Sequence, residues 1–241
     1  MEEYIESSFF SKPFLSAVIV AAGNSERMGG NDKQFMEIGG IPVLAHSLLA
    51  FENCETVSEI IVVTKQSSVE FAAGICEKYK ITKLSKIVPG GATRAESVRN
   101  GVRCVSEKCD FVAIHDGARP LVLPEDITRC ANDAFRCGGA VLAVPVTDTI
   151  KYGKKNGFVE YTPAREKLFA VQTPQIFDIN IYLPAMERAF RELSDWTDDS
   201  RILENDARKV FLTPGNKANI KITSPEDIII ANALFERRKN K

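Results

Sequence analysis

The chain has 241 residues, 44% of them hydrophobic and 26% charged, with a formal net charge of -1. Such a composition belongs to a globular chain that can bury a substantial core in one α/β domain without disulfides or a structural metal. The near-neutral balance speaks against a general nucleic-acid or membrane binder, while leaving room for a local cationic pocket. Cys54, Cys76, Cys104, Cys109, Cys130 and Cys137 form no C-x-x-C pair, and His46 and His115 are the only histidines. A zinc site is therefore not expected, and the thiols read as reduced and mostly buried. Residues 1–10 lack the basic and apolar regions of a signal peptide, and no segment approaches the ~20 apolar residues of a membrane span. A cytoplasmic location is expected.

Residues 15–22 (LSAVIVAA) form an apolar run ending at Gly23, the pattern of a strand buried on both faces. Similar runs occupy 59–63, 110–114 and 140–144, and a short strand is expected near 86–88. Helical patterns lie between them at 42–52, 67–80, 94–107 and 124–136. Thr93 and Glu96 have the spacing of a capping box, and Pro124 suits a first helical turn that closes at Gly138-Gly139. This alternation predicts a mostly parallel twisted sheet with helices on both faces. Residues 147–165 change period and read as a protruding β-arm with Lys155-Asn156-Gly157 at its tip, either packed on a second subunit or simply solvated. Helices are expected at 179–193 and 198–208, strands at 209–213 and 218–222, and a final helix from Pro225. No linker or repeat appears, so the reading is a single domain over 1–241 with an arm.

Ligands of such sheets sit beyond the carboxyl ends of the strands. After the first strand, Ala21, Ala22 and Gly23 let a ligand approach the backbone, and Arg27 and Lys33 add two cations in one loop. A triphosphate with roughly four negative charges suits that pairing. The loop matches neither G-x-x-x-x-G-K-[ST] nor G-x-G-x-x-G. After the strand at 110–114, Asp116 stands where a carboxylate holds Mg²⁺ against phosphates. The bland reading of Arg119 is a pairing with Asp116 or another carboxylate that holds the loop. That of His115 is a satisfied, half-buried histidine. Gly91, in the glycine pair before Thr93, and Ser97, one helical turn on, suit a nucleobase or only a helix start. Thr149, Arg165, Thr173 and Lys221 each lie near a strand or hairpin end. Lys221 alternates with Ile220 and Ile222 and so points away from the core.

The segments AAGNSERM, DKQF, PGGATRAESVRNGV, HDGARP, PVTDTIK, QTPQIF, TDDSRILE and NIKIT run through nearly the whole chain in order. Together they closely resemble the 2-C-methyl-D-erythritol 4-phosphate cytidylyltransferase family of the non-mevalonate isoprenoid pathway. The resemblance implies a Rossmann-like nucleotidyltransferase fold, a homodimer with exchanged β-arms, and Mg²⁺ as cofactor. It implies CTP against Ala21, Ala22 and Gly23, with Arg27 and Lys33 on the triphosphate and Gly91 and Ser97 at the cytidine. Asp116 would lie between the metal-bound nucleotide and the sugar-alcohol phosphate. Thr149 and Arg165 would meet the substrate phosphate from the partner's arm, and Thr173 and Lys221 would complete the acceptor and α-phosphate site. Asp32 stands where relatives usually have proline, Ala92 where some have an acidic residue, and Gly117 where alanine is common. Ribitol 5-phosphate as acceptor, and a non-catalytic CTP-binding module, are the alternative readings.

Overall fold

The computed structural model describes residues 12–23, 33–192, 196 and 198–239. Its centre is a seven-stranded sheet. In chain order the strands are β1 (Leu15–Val20), β4 (Val57–Thr64), β5 (Leu84–Pro89), β6 (Phe111–Asp116), β7 (Gly139–Pro145), β10 (Phe169–Asp178) and β11 (Phe211–Pro214). Side by side they run β11-β7-β10-β6-β1-β4-β5. β10 alone runs against its neighbours; the other ladders are parallel.

The apolar runs become strands because both faces of the sheet are covered. Leu15, Ala17 and Ile19 of β1 face one core with α1 (Val43–Glu52), α2 (Val69–Lys78) and α4 (Pro124–Cys137). Val18 and Val20 face the other, with α3 (Arg94–Val102), α5 (Ile179–Arg191) and α6 (Ser200–Asn205). The period-2 side-chain alternation of a strand is what splits one run between two cores. Gly101 lets α3 lie directly on the sheet: a Cβ there would stand 2.4 Å from Val18 Cγ1 and 2.7 Å from Val63 Cγ2. A third core under α7 (Pro225–Lys239) joins Ile38, Val43, Leu121, Ile222 and Ala231.

Several features differ from the sequence reading. Residues 218–222 are not a strand: Ile222 donates one backbone bond to Ala118 (2.8 Å), with Ile222 buried and Lys221 partly exposed. The expected side-chain alternation survives without a ladder. A two-residue-per-strand hairpin, β2 (Glu37–Ile38) and β3 (Ile41–Pro42), precedes α1, and β10 fills a segment given no element. α3 and α6 are also shorter than their patterns, since α3 ends at Val102 and α6 at Asn205. The arm keeps only a short ladder, β8 (Tyr152–Gly153) against β9 (Val159–Tyr161), closed by a turn at Lys154–Gly157 with Gly157 at φ 87°.

β1 is the switch point. The chain leaves it by α1 towards β4 on one side and returns by α3 to β6 on the other, and a crevice at the carboxyl ends of the strands is expected at such a point. Register lines up the four strand ends there: Val20 sits opposite Val63 and Asp116, and Val63 opposite Val88. Because β10 is antiparallel, its first residues reach the same edge, and the arm between β7 and β10 springs from it.

Candidate active site

Beyond these strand ends lies a hollow of about 340 Å³ lined by Ala22, Gly23, Lys33, Gly91, Ser97, Asp116 and Lys221, with Gln34, Thr93 and Arg94 among the other walls. Its floor is backbone. Gly90 donates to Thr64 O (2.8 Å) and Ala21 to Val63 O (2.7 Å). A Cβ on Gly90 would stand 2.3 Å from Ala22 Cβ and 2.7 Å from Ser97 Oγ, so only glycine fits between the two loops. The capping box expected at Thr93 and Glu96 is formed. Ser97 Oγ accepts from Gly91 N–H (3.1 Å) and donates to Thr93 O (2.9 Å), so it braces the glycine turn while lining the hollow.

Asp116 ends β6 and sits at the meeting point of three cations. Lys221 Nζ is 2.8 Å from one oxygen, Arg94 Nε 3.2 Å from the other, and Arg119 Nε 3.9 Å away. Burial by itself would raise the Asp116 pKa; Arg94 and Lys221 outweigh it and hold the carboxyl well below its ordinary value. Asp116 is thus ionised at neutral pH. Its N–H donates to Thr173 Oγ1 (3.0 Å), which also meets His115 Nδ1 (3.1 Å). A smaller hollow of about 130 Å³ opens on the far side of Arg94, Asp116 and Lys221, walled by Arg119, Gln172, Thr173, Gln175 and Asp198.

The predicted residues therefore divide. Ala22, Gly23, Lys33, Gly91, Ser97, Asp116 and Lys221 share the first hollow, and Thr173 with Arg119 the second. Ala21 is buried just beneath, contributing backbone only. Arg27 lies outside the described residues. Thr149 and Arg165 are exposed on the arm and line neither hollow; Arg165 donates to Thr147 O (3.1 Å). Arg119 pairs with Asp116 as the bland reading holds, and also donates to Asn219 O (2.8 Å). His115 is satisfied at Nδ1 but fully buried rather than half-buried. Burial drives its pKa down to about 3. The sequence reading missed Arg94 and its second partner Asp199, which accepts from Arg94 Nη2 at 2.7 Å. The available signal was position: Arg94 opens the helix that follows a glycine-rich strand end.

Asp116 is the one carboxylate among the described residues lining the first hollow. No cluster of three His, Cys, Asp or Glu suited to a metal occurs among the described residues. A Mg²⁺ here would find one protein carboxylate, already shared with Arg94, Arg119 and Lys221, and would take its other ligands from phosphate oxygens and water.

A mostly parallel doubly wound sheet with a glycine-floored, lysine-walled hollow at its switch point is consistent with a Rossmann-like nucleotidyltransferase fold. The sequence pattern of the 2-C-methyl-D-erythritol 4-phosphate cytidylyltransferase family matches residues 15–237. Proteins of that name from Clostridium botulinum (strain Okra) and Caldanaerobacter subterraneus subsp. tengcongensis are 43% and 44% identical, over 92% and 93% of this chain and 97% and 99% of theirs. The structure of 4-diphosphocytidyl-2C-methyl-D-erythritol synthase from Anaerococcus prevotii has a TM-score of 0.85 at 32% identity, covering 93% of this chain and 97% of that one. 2-C-methyl-D-erythritol 4-phosphate cytidylyltransferase from Thermus thermophilus gives 0.75 at 30%, covering 92% and 98%. The chain belongs to the 2-C-methyl-D-erythritol 4-phosphate cytidylyltransferase family.

Proposed function

We propose that this chain transfers CMP from CTP to 2-C-methyl-D-erythritol 4-phosphate, giving 4-diphosphocytidyl-2-C-methyl-D-erythritol and pyrophosphate. The observation that carries the reading is the pair of hollows sharing one wall of Arg94, Asp116 and Lys221. CTP fits the larger, with its base towards Gly91 and Ser97 and its phosphates towards Gly23 and Lys33. The acceptor phosphate fits the smaller, beside Thr173 and Arg119.

The acceptor's phosphate oxygen attacks the α-phosphorus, and the bond from that phosphorus to the α–β bridging oxygen breaks. A phosphate monoester has a second pKa of about 6, so the nucleophile is already ionised at pH 7 and no general base is needed. This matches a site whose one histidine is buried and neutral. What the reaction does need is charge. Two anions must approach in line, and preorganised cations lower that barrier. Lys221 stands on the shared wall, within reach of the reacting α-phosphate, and Lys33 serves the triphosphate. We assign Arg27, the second cation that follows Gly23 in the sequence, to the same task. Mg²⁺ bound with CTP would supply further charge at the phosphates, with Asp116 as its protein ligand.

Thr149 and Arg165 suit the acceptor phosphate of a second subunit. The arm that carries them exposes Tyr152, Val159, Tyr161 and Phe158, the last at 72%, an apolar load that argues for a homodimeric partner. The chemistry is tested by measuring pyrophosphate release from CTP, UTP and ATP with either methylerythritol phosphate or ribitol 5-phosphate. The expected result is release from CTP with methylerythritol phosphate at least tenfold above every other pair. CTP binding without release from any pair would instead support a non-catalytic module.

A further inference from the structure

Arg94 stands between the two hollows and lines both. A guanidinium in that place has a choice once CTP arrives, because phosphate oxygens offer the same forked geometry as a carboxylate and more negative charge. Its two present partners differ. Asp116 already shares itself with Lys221 and Arg119. Asp199 is 0% exposed and holds Arg94 Nη2 at 2.7 Å. The fully buried Tyr182 hydroxyl is 3.4 Å from the other Asp199 oxygen. The neighbouring Asp198 is occupied by Gln175 and Ser200, and so does not compete for Arg94. The backbone of Arg94 is fixed too, at the first residue of α3 behind the Thr93–Glu96 capping box. Were Arg94 to swing onto phosphate, it would leave a buried carboxylate unpaired, which is strongly unfavourable. An exposed partner would impose no such penalty.

We propose that Asp199 is a positioning residue that holds Arg94 against Asp116 and away from the nucleotide's phosphates. The place of the triphosphate is then set by Lys33, Lys221 and the backbone at Ala22 and Gly23, and the α-phosphorus is kept in line with the acceptor. The role rests on the CTP-dependent transfer proposed above.

Removing the anchor has a signature that a purely structural residue lacks. Asp199→Asn keeps the side chain's size and deletes its charge, so Arg94 is released to the phosphates. The Kd for CTP, measured by calorimetric titration, should fall roughly three- to tenfold. The kcat should fall roughly ten- to a hundredfold, because the nucleotide is bound tightly in the wrong register. Arg94→Lys, whose single ammonium cannot span both carboxylates, should shift both quantities the same way and serves if Asp199→Asn does not fold. In the Arg94→Gln/Asp199→Asn double variant the tighter binding should vanish, and the thermal stability lost in Arg94→Gln alone should return. An unchanged or raised Kd in a folded single variant overturns the proposal. A wild-type protein that releases no pyrophosphate from CTP and methylerythritol phosphate sinks the functional reading instead, so the two failures are separable.

Discussion

His115 and Gly90 show how single residues tie the site to the fold. His115 is fully buried and neutral, and burial drives its pKa to about 3, against an ordinary value of 6.5. Between those values the unfolded chain binds a proton that the folded chain refuses, so stability falls as pH drops. From pH 7 to pH 5 the loss from this one group is about 2 kcal/mol, the slope reaching about 1.36 kcal/mol per pH unit only below pH 6.5. Urea unfolding at pH 7 and pH 5 should show His115→Gln losing less stability than wild type by about that amount; equal losses would contradict the assignment. Gly90→Ala places a methyl 2.3 Å from Ala22 Cβ and 2.7 Å from Ser97 Oγ, forcing the first loop and the glycine turn apart. CTP affinity should drop roughly tenfold, in line with the 1–3 kcal/mol typical of overpacking, while circular dichroism stays native. At this scale the sequence showed Lys33, Asp116, Gly91 and Ser97 as candidates, because each follows a readable strand or belongs to the glycine pair and the helix start after it, whereas Lys221 was marked by its alternation with Ile220 and Ile222 and by the family resemblance. It did not show Arg94 as a hub, since the partner that anchors it lies 105 residues away in the chain.

Elements with one dominant signal were legible. β1, β4, β6 and β7 are apolar runs buried on both faces, and α4 begins at Pro124 and ends on Gly138 with φ 79°. The box at the start of α3 was also visible, and it has a consequence. Thr93→Ala should cost about 1 kcal/mol in urea unfolding, the usual value of a lost cap; a change under a few tenths would mean the box is idle. β10 was missed because its sequence argues against a central strand. Gln172, Thr173, Pro174 and Gln175 are polar or lack an N–H, yet Gln172, Thr173 and Gln175 are buried. The ladder to β7 accommodates them with a register shift between Val171 and Gln175. Their polar groups are used instead by Asn216, His115, Asp116 and Asp198. The β2–β3 hairpin did carry a signal. Gly39 and Gly40, at φ 57° and 78°, sit between Ile38 and Ile41, the pattern of a tight two-residue turn. Ile220-Lys221-Ile222 carried a strand period with no neighbour to pair with, and periodicity alone cannot supply one.

At the scale of the molecule, topology does what no local pattern states: it brings chain positions 22, 33, 91, 97, 116 and 221 to one hollow at the sheet's switch point. It also sends the arm out from that same edge, with Thr149 and Arg165 away from their own chain's hollows. If the arm serves a second subunit, mixing Arg165→Ala and Lys33→Ala proteins should restore activity in heterodimers, which hold one intact site. Inactive, verified heterodimers would contradict sharing. In the proposed reaction, cations gathered at the strand ends let two phosphates meet. Its most direct test is the steady-state rate of pyrophosphate release from CTP and methylerythritol phosphate by folded Lys33→Ala. The expected kcat is roughly 10²–10³ below wild type, the usual loss on removing one preorganised charge-stabilising group; turnover near wild type would rule that role out.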